Sequence, residues 1–191
     1  ASEVESELAR IGHALEPLDI VLVNTRAGCR YGEADYLSAG CGMGYEATMY
    51  LLERGVRLTG TDAWSWDAPF PHTARRIAET GNKALIWEGH KAGRDIGYCH
   101  LEKLHGLEAL PPRGFFVSCF PHRVRGGSAG WARSQRAKKM EPSSPGFAAL
   151  RLSMTMTIGR AFFAAIRLSR MRSACPWTCQ PVWSSPHPCS R

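Results

Sequence analysis

The sequence offers no apolar run near the roughly 18 uncharged residues that a membrane-spanning helix requires, and no basic-then-apolar leader opens it. A soluble, cytoplasmic protein without a membrane partner is therefore expected. Neither the G-x-x-x-x-G-K-[ST] phosphate loop nor the H-E-x-x-H zinc helix occurs, which sets aside P-loop nucleotide hydrolysis and zincin-type proteolysis. The cysteines do not add up to a disulfide framework: there are seven, an odd number, and Cys29, Cys41, Cys99 and Cys119 are scattered through apolar stretches. Reduced thiols acting as small buried hydrophobes are expected instead.

Acidic residues are missing from one region only. Residues 1–134 hold 15 Lys and Arg against 16 Asp and Glu, whereas residues 135–191 hold the other 9 basic residues against the single acid Glu141. The formal net charge of +7 is thus −1 in the first part and +8 in the last 57 residues. That separation opens a rival to any enzyme reading, a binding module whose +8 tail contacts nucleic acid or another anionic surface. Aromatic side chains are sparse among those basic residues, so a nucleic-acid partner is not the expectation.

What is present fits a folded chain. At 191 residues there is room for one domain with an appendage, and 44% hydrophobic against 21% charged residues is the balance of a globular protein rather than a disordered one. Ser2 and Glu5 have capping-box spacing, and Val4, Leu8, Ile11 and Leu15 recur at helical period, predicting a helix over about 2–14. Residues 19–24 read as a buried strand, and a glycine-punctuated loop follows. A second helix is predicted over 45–54, stopped by Gly55, then a strand over 56–59. Thr73 can cap a helix running to Glu79. Residues 84–87 and 114–120 are further strand candidates, so helices and strands alternate in an α/β manner. Beyond Ser134 the periodicity fades, and residues 147–172 offer only an irregular cationic amphipathic helix.

Several motifs have mundane readings. Gly40-Cys-Gly-Met-Gly44 precedes a helix, yet Tyr45 stands where a dinucleotide fingerprint needs glycine, which favours a tight structural turn. Gly126-Gly-Ser128-Ala-Gly130 has the form of a nucleophile elbow, making a serine hydrolase built on Ser128 a second alternative, but no convincing helix follows it. Cys175, Cys179, His187 and Cys189 fit no closed zinc spacing. His90 and Glu102 supply the imidazole and carboxylate that a catalytic divalent ion takes, though their spacing alone equally suits a loop histidine and a solvated glutamate.

Three ordered segments carry a resemblance. Gly60-Thr-Asp62-Ala-Trp64-Ser-Trp66-Asp67-Ala-Pro69, Glu88-Gly-His90 and Gly97-Tyr-Cys-His-Leu-Glu102-Lys-Leu104 resemble the cyclase family of metal-dependent hydrolases, which includes bacterial kynurenine formamidase and isatin hydrolase. Residues 119–133 look like that family's closing strand and glycine turn, so the likeness runs over about 2–134. It implies a swivelling β/β/α cyclase-like domain of mixed α/β class, often a homo-oligomer. It also implies hydrolysis of a C–N amide bond in a cyclic amide or an N-formyl, arylformamidase-like small molecule by metal-activated water. By position His90 and Glu102 look like metal ligands, with zinc or manganese as the ion. Trp64, Trp66 and His72 are candidates to line a pocket for an aromatic substrate, with core packing an equal reading for the tryptophans. Asp62 and Asp67 match a family loop and read as loop-structuring carboxylates.

Two departures accompany the resemblance. The family's first metal motif, H-x-G-T-H-x-D-x-P-x-H, with its acid/base histidine, does not occur in this sequence. The sequence therefore reads as the C-terminal portion of a hydrolase domain (1–134) joined to a basic, acid-poor tail (135–191). The abrupt change after Arg133 has the character of a shifted reading frame, and the expectation is an incomplete fragment with a poorly ordered tail.

Overall fold

A computed structural model describes residues 1–122, 125–127, 129–137 and 163–167. The architecture is mixed α/β. Four parallel strands form the main sheet in the order β3-β2-β1-β6, with β1 at Ile20–Asn24, β2 at Leu58–Thr61, β3 at Cys99–Leu101 and β6 at Phe163–Arg167. A separate antiparallel ribbon pairs β4 (Phe116–Pro121) with β5 (Ala132–Ala137). Among the described residues no helix is long and apolar enough to cross a membrane.

Strand β1 is the centre of the packing because its apolar run can be buried on both faces, as parallel strands require. Val21 and Val23 join Val4 and Leu8 of helix α1 (Ser2–Arg10), Leu51 of helix α2 (Tyr45–Glu53), and Val56, Met43 and Trp66 in one core. Leu22 points the other way, to Leu107 and Phe115. Strand register extends this division across the sheet: Val21, Thr59 and His100 are aligned, and Leu22, Gly60 and Leu101 are aligned. His100 is thereby placed on the α-helical face and Leu101 on the opposite one. A cavity of about 230 Å³ on that opposite face is lined mainly by Leu22, Leu101, Leu104, Leu107, Leu110 and Val117, an apolar set away from the ligand-bearing side chains described below.

Several local expectations are corrected. Helix α1 stops at Arg10 rather than near residue 14, and neither Ser2 nor Glu5 forms the capping box, since Ala1 is the cap residue and no side chain bonds there. Gly12, at φ +64°, turns the chain out of the helix. Helix α3 (Phe70–Thr80) begins three residues before Thr73, which lies inside it with its hydroxyl donating to the Ala68 carbonyl at 3.4 Å. Residues 84–87 are not a strand. The Asn82 side chain accepts from the Ala84 N–H at 3.0 Å and starts a 3₁₀ turn, Trp87 takes φ +55°, and helix α4 (Glu88–Ala92) follows. The strand β2 ladder begins at Leu58, two residues later than expected, although Val56 is fully buried. Residues 163–167 are a strand and not part of a cationic helix, because the edge of β1 offers them a backbone ladder from Ile20 to Asn24. The rest of that predicted helix lies outside the described residues, as do Ser128 and the Cys175, Cys179, His187 and Cys189 group. None of the four described cysteines is in a disulfide among the described residues, but none is fully buried either, and Cys99 is exposed.

Candidate metal centre

The loops leaving the carboxyl ends of β2 and β3 build the site, the position at which open parallel sheets generally present their ligand-binding groups. After β2 the chain enters the segment 62–69, and Asp62 fixes its start. The carboxylate of Asp62 accepts from the Thr25 N–H at 2.8 Å, the Thr25 hydroxyl at 2.7 Å and the Gly28 N–H at 3.1 Å. These bonds tie the loop after β1 to the end of β2. Burial raises the Asp62 carboxyl above its ordinary range, against the lowering effect of those donors. Asp62 is therefore a structural clamp.

Strand β3 is only three residues long, yet its exit is held firmly. The Lys103 and Leu104 N–H groups donate to the Ala63 and Thr61 carbonyls at 3.0 Å each, which draws Glu102 against the 62–69 segment. One carboxylate oxygen of Glu102 accepts from the Trp66 N–H at 2.9 Å and the Ser65 hydroxyl at 3.2 Å, and lies 3.4 Å from His100 Nε2. Its second oxygen accepts from Lys103 Nζ at 3.3 Å. Burial pushes the Glu102 carboxyl up, but the His100 hydrogen bond, the Trp66 N–H and the Lys103 charge outweigh it and hold the pKa down at about 2. Glu102 is consequently anionic at neutral pH.

His90 reaches the same place from α4. That helix docks closely because Gly89 has no side chain: a Cβ there would lie 2.5 Å from the Met43 carbonyl oxygen and 2.7 Å from the Trp66 ring. The Gly89 N–H donates to Asp67 Oδ1 at 2.6 Å, its carbonyl accepts from the Tyr98 hydroxyl at 2.9 Å, and His90 Nδ1 pairs with Asp67 Oδ2. The His90 and His100 rings meet edge to face with centroids 4.5 Å apart. His90, His100 and Glu102 thus each bring one ligand atom to within 4.8 Å of the others.

This donor set fits a divalent transition metal. Two imidazoles and a carboxylate match catalytic zinc sites, where three protein ligands leave a position for water. His90, His100 and Glu102 are the residues that would hold such an ion, which would supply Lewis acidity there.

The sequence-predicted residues separate here. His90 and Glu102 come together. Trp66 is fully buried, donating its indole N–H to the Thr48 hydroxyl at 3.1 Å and stacking its ring behind His100 at 6.4 Å, so it supports the centre from the core. Trp64 is half-exposed and turned towards Tyr36 and the Lys103 ammonium, which sits 4.3 Å from its ring centroid. His72 is in the first turn of α3 and is not in the three-ligand group. Sequence reasoning missed His100 as a donor. Its two-residue spacing from Glu102 puts both on one face of an extended segment, which was the available signal. It also missed the exposed Trp87, whose ring lies 6.0 Å from that of His90.

Residues 1–68 match the family model described as "Putative cyclase". No curated protein and no solved structure matches the chain. The matched region runs from α1 through β2 to the Gly60–Asp67 segment and ends before His90, His100 and Glu102. The first 68 residues are thus similar to the cyclase family.

Proposed function

We propose that the chain carries a divalent-metal centre of a cyclase-like hydrolase, acting on the C–N amide bond of a cyclic amide or N-formyl aryl compound. The observation that supports this reading is the convergence of His90, His100 and Glu102 where β2 and β3 end. A bound ion of the zinc or manganese type would supply Lewis-acid polarisation and a water of lowered pKa. The protein's own part is to hold that ion. The two imidazoles donate nitrogen lone pairs, and Glu102 brings a negative charge already stabilised by the Trp66 N–H and Lys103. The half-exposed Trp87 offers an apolar wall beside His90, suited to a planar aromatic substrate.

Titration calorimetry of the full chain with zinc and with manganese tests the reading. One ion per chain is expected, and His90→Ala, His100→Ala and Glu102→Ala should each lower affinity by more than about 100-fold, since loss of an outer partner alone costs 10–100-fold. Stoichiometric metal retained by the His90→Ala/Glu102→Ala double variant would overturn it. Formanilide hydrolysis in the presence of the ion tests the substrate class separately.

A further inference from the structure

Asp67 contacts the candidate centre without being one of its three donors. Its side chain is only 7% exposed, and both oxygens are engaged: Oδ1 takes the Gly89 N–H at 2.6 Å, and Oδ2 pairs with His90 Nδ1. Its own backbone is fixed from two sides. The Asp67 N–H donates to the Ser65 hydroxyl at 3.4 Å, and Gly42 packs so closely that a Cβ there would lie 2.0 Å from the Asp67 carbonyl carbon. One rigid carboxylate therefore grips consecutive residues of α4, one through the main chain and the next through the ring.

A neutral imidazole carries one proton on two nitrogens, and a buried carboxylate at Nδ1 places it there. We infer that Asp67 is a positioning residue: it sets the orientation of the His90 ring and holds its proton at Nδ1, so that Nε2 is the lone pair presented to a divalent ion. This deepens the metal reading above and rests on it.

Asp67→Asn separates the possibilities, because it keeps the oxygen that accepts from Gly89 while its amide N–H₂ replaces the acceptor at Nδ1. The proton is then driven to Nε2. On the metal-free full chain, long-range ¹⁵N–¹H NMR at a pH where the ring is neutral should show His90 protonated at Nδ1, and at Nε2 in Asp67→Asn. Zinc affinity by calorimetry should fall 10–100-fold in Asp67→Asn. In a His90→Ala background the same change should have no further effect. Wild-type zinc affinity in Asp67→Asn, an undiminished loss in the His90→Ala background, or an Nε2–H wild-type ring would each overturn the proposal. The wild-type NMR measurement needs neither a variant nor metal. A chain that binds no zinc yet shows Nδ1–H at His90 would refute the metal reading and keep the Asp67–His90 pairing.

Discussion

Gly42→Ala places a methyl group where the fold has no room for one. The built Cβ lies 1.9 Å from the Ala68 nitrogen and 2.0 Å from the Asp67 carbonyl carbon, against the 3 Å or more that real contacts keep. Both obstacles are main chain, so no rotamer change relieves them, and either the 40–44 turn or the 66–68 segment must retreat by about 1 Å or more. Overpacking costs about 1–3 kcal/mol where side chains can adjust, and the absence of that adjustment puts this variant near 3 kcal/mol. With a urea dependence of about 1.5 kcal/mol/M, the unfolding midpoint should drop by about 2 M. Gly97→Ala is the matched control: no described residue lies within 4 Å of its Cβ and its φ is not positive, so it should be neutral or stabilising by up to about 1 kcal/mol through the unfolded chain. Urea melts of both variants followed by tryptophan fluorescence provide the comparison. Because the displaced segment carries Asp67, zinc affinity should also fall in Gly42→Ala and hold in Gly97→Ala. A Gly42→Ala chain within about 0.5 kcal/mol of wild type would refute the packing of the turn against Asp67 and with it the rigidity ascribed to that carboxylate.

Two further perturbations probe the support of the site. Asp62→Asn presents an N–H₂ where the Asp62 carboxylate now accepts from Thr25 and Gly28, so one buried donor loses its acceptor and about 1–3 kcal/mol of stability should be lost in chemical denaturation. Tyr36 is buried with its hydroxyl donating to the Asp62 carbonyl at 3.0 Å. Burial first, then the Asp62 charge, push its pKa up to about 12. A raised pKa in the fold means that stability is fully present below the unfolded value of about 10 and is lost as pH rises through about 12. The stability difference between wild type and Tyr36→Phe should therefore shrink over that window, and a pH-independent difference would contradict the assignment.

Much of the fold was legible because it rests on local pattern. The apolar run of β1, the period of α1 and α2, and Gly55 as the stop of α2 are consequences of burial and backbone preference that one segment carries by itself. Two of the misreadings share a cause: at residues 84–87 and 163–167, apolar content left the choice of element to what lay alongside. An Asn82 cap turned the first into a 3₁₀ segment, and the edge of β1 made the second a strand. The family likeness and the pair His90 and Glu102 likewise came from the sequence. That His100 faces the same side was decided by the register of β3 on β2, and that Asp67 grips His90 was decided by the approach of Gly42 and Gly89 to the 66–68 segment. Sequence separations of 23 residues between Asp67 and His90 and 36 between Trp66 and Glu102 have no local signature. Only the crossing of β2, α4 and β3 brings such groups within bonding distance, because ligand geometry depends on ångström-scale placement that a linear pattern of residue types does not encode.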